Sequence, residues 1–197
     1  MNIGDFIRSI NTFDLLVVLV LFAMFILGFM QGTIRRLLGI LSILFSFVFA
    51  ANVRDPLGSF LASQWTHLDP HYAVMVGFGT IFVAASIAFS IVIQIFYKRV
   101  PLFEKYTVVD EVLGGTLGIV QGILLLMAMI VILDTAFEVV GLRQVNELPF
   151  LREIHDAYDG SATAGLLRSA FIPAFFAILG PFIPGDLKQM FPFGHTG

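Results

Sequence analysis

Asp110-Glu111-Val112-Leu113-Gly114-Gly115-Thr116-Leu117-Gly118-Ile119-Val120-Gln121-Gly122 opens a run that stays uncharged from Val112 to Leu133 and closes on Asp134. A helix needs about 20 apolar residues to span the ~30 Å hydrocarbon layer at 1.5 Å per residue. The run has that length and carries charge only at its borders, so it reads as a transmembrane helix. Gly114, Gly118 and Gly122 recur every four residues and share one helix face, where a second backbone can approach closely. Leu117 to Gly122 reads L-G-x-x-Q-G, and the same hexapeptide stands at Leu27 to Gly32, ending an earlier apolar run. If the two runs cross in opposite directions, both copies fall at one depth and can pack as an antiparallel pair.

Working outward, Leu15 to Ile34, Leu37 to Val53 and Tyr72 to Tyr97 are the other uncharged runs of spanning length. The second is the shortest at 17 residues, about 25 Å of helix, and Arg35 and Arg36 before it can snorkel to the interface. The composition agrees: 58% of the 197 residues are hydrophobic, 13% are charged, and mean hydropathy is +0.93. One soluble core of this size cannot hide so much apolar surface. The absence of Cys removes disulfides, thiolate metal sites and cysteine nucleophiles. Eleven Lys and Arg against fourteen Asp and Glu, with no basic run, exclude nucleic acid as a partner class. The fold class is therefore all-α, a polytopic membrane protein with four transmembrane helices plus interfacial or re-entrant helices. Residues 1–135 form the membrane domain and 136–197 an extramembrane and interfacial or re-entrant C-terminal segment.

Ile3, Phe6, Ile7 and Ile10 form a stripe suited to a helix on the membrane surface, and Leu57, Phe60, Leu61, Trp65 and Leu68 repeat it between the second and third spans. Asp5 and Asp14 argue against a cleaved signal peptide at the first segment. Leu166 to Ile183 is apolar around Arg168, but Pro173 and Pro181 interrupt it, which predicts an interfacial or re-entrant helix pair rather than a straight fifth span. Arg35, Arg36, Lys98, Arg99 and Lys105 mark the first and third loops, against Arg54 alone in the second. The positive-inside rule then places those loops in the cytoplasm and both termini outside.

Gln31 and Gln121 are polar at intramembrane depth and predict a hydrogen bond across the glycine pair or to backbone. Ser42, Ser46, Ser86, Ser90 and Gln94 either tighten packing or line a path. Asp110 and Glu111 read as a helix start, where carboxylates meet the positive end of the dipole. His67 and His71 have a metal-like spacing that Pro70 disrupts. His155, Asp156, Asp159, Ser161 and Ser169 are hydrolase residue types without a motif to join them. No catalytic, cofactor-binding or metal residue is assigned, and no charge stands inside the four runs, which weakens a pump or carrier reading.

Phe13-Asp14, the Gly28 and Gly32 pair, and Asp110-Glu111-Val112-Leu113-Gly114 continuing through Gly118 and Gly122 to Asp134 resemble the colicin V production protein (CvpA) family of bacterial inner-membrane proteins. That family commonly carries Arg or Lys before the second glycine of each pair, where this chain has Gln31 and Gln121. The resemblance implies a small polytopic protein of the bacterial cytoplasmic membrane, linked to colicin V (toxin) production or export and to envelope maintenance. The expected function is thus a non-catalytic integral membrane scaffold or accessory factor. The alternative is an oligomeric membrane channel or carrier for a small solute. Expected partners are the lipid bilayer and a membrane protein or second copy; no cofactor is expected.

Overall fold

The computed structural model describes residues 11–64, 70–96, 107–137, 149–185 and 187, which are almost wholly helical and include no strand. Helix α1 (Thr12–Gln31) starts where the Asn11 side chain accepts from Phe13 N at 2.8 Å. It stops at Gly32, whose φ of +78° lies in the left-handed region that glycine enters without strain. That one residue is the whole connection to α2 (Thr33–Gln64). The loop expected at Arg35 and Arg36 is absent, because glycine alone reverses the chain and both arginines fall in the first turns of α2.

Helix α2 has 32 residues and is the longest of the described helices, not the shortest. Arg54 ends the uncharged run but not the helix: it is 1% exposed, places its guanidinium 5.9 Å from the Phe78 ring centroid, and reaches Asp55 Oδ1 at 3.3 Å. Pro56 stands at an exposed position within α2, so Leu57, Phe60 and Leu61 continue the helix instead of forming a separate interfacial loop. Trp65, Leu68 and the stripe from Ile3 to Ile10 lie outside the described residues. Helices α3 (Pro70–Phe96) and α4 (Thr107–Phe137) complete the bundle, α3 packing chiefly on α2 and α4 chiefly on α1.

Phe47 of α2 sits at the centre, fully buried, with ring centroids of Phe78, Phe82, Phe175 and Phe176 between 4.9 and 6.4 Å away. The outside of α1 is left bare, with Leu15, Leu19, Phe22 and Met30 each at least 60% exposed. Lipid is the solvent that matches such a surface.

After α5 (Pro149–Asp159) the chain continues through α6 (Ala162–Leu166), a π-helical turn Leu167–Phe171, α7 (Ile172–Leu179) and a 3-10 turn Gly180–Phe182. Pro173 does not split this segment into two helices, because the wider π-turn before it accommodates the ring and the missing donor. Five described helices are thus long and apolar enough to cross a membrane, this segment being the fifth.

Its anchors decide its course. Ala162 N and Thr163 N donate to the Asp14 carboxylate in the first turn of α1, and Phe182 O accepts from Asn52 Nδ2 at 3.0 Å. Asn52 lies 19 residues along α2 from Thr33, about 28 Å at helical rise, which brings it to the same end of the bundle as Asp14. Both ends of the segment are thus fastened at that end of the bundle.

Candidate functional site

Helices α1 and α4 meet at backbone distance. A Cβ added at Gly28 would overlap the Gly114 carbonyl, one at Gly118 would overlap the Met24 carbonyl, and one at Gly114 would lie 2.5 Å from the Gly28 oxygen. Backbone therefore rests on backbone along Gly28, Gly32, Gly114 and Gly118, as the four-residue spacing allows. Gly122 faces the side chains of Leu21 and Met24 and is less constrained. Gly58 and Gly77 form a second such seam between α2 and α3, where a Cβ at Gly58 would lie 2.8 Å from Val74 Cα. Neither belongs to a G-x-x-x-G pattern, so spacing carried no signal for it.

One polar layer lies at the Gly32 end. Asp110 is 3% exposed; its Oδ1 accepts from Thr33 N at 3.3 Å and its carbonyl from Thr33 Oγ1 at 2.9 Å. It sits in the first turn of its own helix α4, as a helix start should, but the donor it satisfies is the first N–H of α2. Glu111 beside it is half-buried.

Gln31 and Gln121 do not bond to each other. Gln121 Oε1 accepts from Arg36 Nη1 at 2.7 Å, with Arg36 only 5% exposed. A guanidinium is a stronger donor than an amide, and the first turn of α2 carries it across to α4. Gln31, Arg35, Arg36, Ser90, Gln94 and Gln121 line one cleft of about 200 Å³. Ser86, Ser90, Gln94 and Gln121 extend its polar wall into an adjoining hollow of about 340 Å³. Ser42 and Ser46 take no part in it; both are buried in the bundle, with Oγ atoms lacking a hydrogen-bond partner.

The two glutamines therefore carry different loads. Gln31→Leu is expected to leave stability within about 1 kcal/mol, whereas Gln121→Leu strips a buried guanidinium of its acceptor and should cost about 1.5–3 kcal/mol. Unfolding of the detergent-solubilised variants measures both, and equal losses would contradict the assignment.

The second layer, at the opposite end, escaped the sequence reading. Asp134 is not a border residue but a 1% exposed carboxylate inside α4. Arg168 grips it with two nitrogens, Nε to Oδ2 at 2.9 Å and Nη2 to Oδ1 at 2.7 Å, and gives Nη1 to Asp159 Oδ1 at 2.6 Å. The Tyr158 hydroxyl donates to Asp134 Oδ1 at 2.7 Å, and His155 Nε2 lies 3.9 Å from that oxygen.

Burial first, and then the Asp134 carboxylate, push the Tyr158 phenol well above its ordinary range, so it stays a donor at neutral pH. The stability this contributes is complete below about pH 10, the unfolded value. It is lost only as pH climbs toward the raised folded value. The Phe13 ring, 5.7 Å from that of Tyr158, ties α1 to the same point.

His155 and Asp159, read in sequence as scattered residue types, belong to this cluster, and Asp156 touches it with Oδ1 3.6 Å from His155 Nδ1. Ser161 instead caps α6, accepting from Ala164 N at 2.9 Å, and Ser169 bonds back to Leu166 O at 3.3 Å. A signal for the cluster existed: Arg168 is a lone cation in an apolar segment and Asp134 a lone anion closing an apolar run, and such charges seek each other. Both Asp134 oxygens are engaged, so the cluster fastens α1, α4, α5 and the π-turn together.

Among the described residues no three His, Cys, Asp or Glu side chains are placed to hold a metal ion, and His67 lies outside them. A family model described as colicin V production protein matches residues 13–158. No curated protein and no solved structure matches the chain.

Proposed function

Since the chain belongs to the colicin V production protein family, a membership that supports a role in colicin V production, we propose that it serves there as a non-catalytic membrane scaffold or accessory factor. The observation that carries this reading is the α1–α4 seam, where Gly28, Gly114 and Gly118 hold two helices at backbone contact. Helices locked in this way, and closed at the far end by the Asp134–Arg168 pair, make a rigid unit whose bare apolar flank on α1 is available to lipid, to a membrane protein or to a second copy. The experiment pairs two assays: colicin V output from cells that depend on this chain, and solute flux in proteoliposomes that contain it. A scaffold restores output and passes no solute. Flux that vanishes when Gln31 and Gln121 are both replaced by Leu would favour the channel or carrier instead.

The protein is placed by the same proposal in the bacterial cytoplasmic membrane, with the Gly32 end inward and both termini outside. Arg35, Arg36, Lys98, Arg99 and Lys105 support that orientation by their position in the sequence. Because the chain has no Cys, single cysteines report cleanly. Ser63→Cys should react with an impermeant thiol reagent added outside the cell, and Glu104→Cys should not; the opposite pattern reverses the topology.

A further inference from the structure

The cleft at the Gly32 end contains a cation that the protein does not answer. Arg36 is 5% exposed and uses Nη1 on Gln121, while its enclosed Nε has no hydrogen-bond partner. Arg35 lines the same cleft, and no ion pair among the described residues involves either guanidinium. Asp110, the acidic group buried at this end, is committed to Thr33 and does not line the cleft.

Two adjacent like charges, one of them desolvated, are costly at membrane depth unless an anion balances them. The cleft has the donors for one: Gln31, Ser90 and Gln94 stand around the arginines, and about 200 Å³ is open between them. Guanidinium, amide and hydroxyl donors around a small space match the oxygens of a phosphate group. Met24, Leu27 and Ile93 complete the lining with apolar surface, which suits the chain that follows the phosphate in a lipid. We infer that this cleft is a binding site for a phosphate group, of the kind carried by an anionic phospholipid and also by free inorganic phosphate.

The test uses the full chain purified in detergent. Native mass spectrometry compares retention of phosphatidylglycerol with that of phosphatidylcholine, and thermal unfolding compares inorganic phosphate with chloride at equal ionic strength. Two variants accompany the wild type: Arg36→Gln, which removes the unanswered charge, and Ser90→Phe, which fills the cleft from an exposed position on α3 and leaves the charges intact. The expected result is selective retention of phosphatidylglycerol that falls about tenfold in each variant. Stabilisation by inorganic phosphate that is lost in the same variants would equally support the site and name free phosphate as its source. Binding of neither probe, or binding that both variants leave unchanged, overturns the inference. Should Arg36→Gln fail to fold, Ser90→Phe alone decides.

Discussion

Gly118→Leu is expected to abolish the native fold, with little or no folded protein recovered from the membrane. The first carbon of any side chain at this position overlaps the Met24 carbonyl, and the Gly28 Cα follows at 3.3 Å. Backbone cannot rotate aside as a flexible side chain does, so α1 and α4 must separate. Separation also pulls Asp110 from Thr33, because Gly32 alone joins Thr33 to the end of α1 and the start of α2 moves with it. Overpacking alone costs about 1–3 kcal/mol, and here it adds to the loss of a cap worth about 1 kcal/mol. Thr116→Leu, at an exposed position in the same helix, is the control and should be recovered normally. Equal recovery of the two variants on size-exclusion chromatography would show that the seam is not close-packed.

Arg168→Leu should be the most damaging single change at the opposite end, costing about 3–5 kcal/mol, because it leaves the Asp134 carboxylate charged and buried without its counter-ion. Asp134→Leu should cost less. Its partner is 22% exposed in the side chain and keeps Asp159, whereas Asp134 itself is 1% exposed and has nowhere to turn. Replacing both by Leu should recover most of the deficit, since an apolar pair of similar volume often substitutes for a buried ion pair. Tyr158→Phe, which removes one donor to the carboxylate, should lie between, at about 1.5–3 kcal/mol. Denaturant unfolding in mixed micelles, read as a double-mutant cycle, gives the coupling directly. Strictly additive losses would mean that the two groups do not act together.

Which parts of this architecture the sequence revealed follows from what each signal depends on. Helix number and approximate placement depend on runs of apolar residues, and those are local. The glycine face of α4 was legible because the four-residue spacing is itself the contact pattern. Helix ends were less legible. Arg54 looked like a terminus because a charge normally avoids hydrocarbon, yet tertiary packing against Phe78 buries it mid-helix. Gln121 does share a level with Gln31, lining the same cleft, but its partner is another: periodicity along one helix does not say that Arg36 of another will reach it first. The Asp134 cluster joins residues separated by 24 and 34 positions, so each lone charge signals that it needs a partner while nothing local says which residue that is. Phe13, Asp14, Asp110 and Asp134, which carried the family resemblance as letters in a pattern, share a physical role that the pattern did not state. Each fastens one element to another.

The cap that Asp110 places on α2 has a consequence for the order in which the chain is made. Thr33 leaves the ribosome 77 residues before Asp110, an interval of about 4–15 s at 5–20 residues per second. Throughout that time α1 and α2, joined through Gly32 alone, stand in the bilayer as a hairpin with an empty glycine groove on one arm and an unfilled N–H at the start of the other. Synthesis of α4 closes both at once, since Gly114 and Gly118 enter the groove as Asp110 meets Thr33. Nascent chains halted before α4 therefore expose a contiguous docking face to every other helix in the membrane. A lesion in α4 reaches the cell as a half-built hairpin, the kind of substrate that membrane proteases and insertion chaperones act upon.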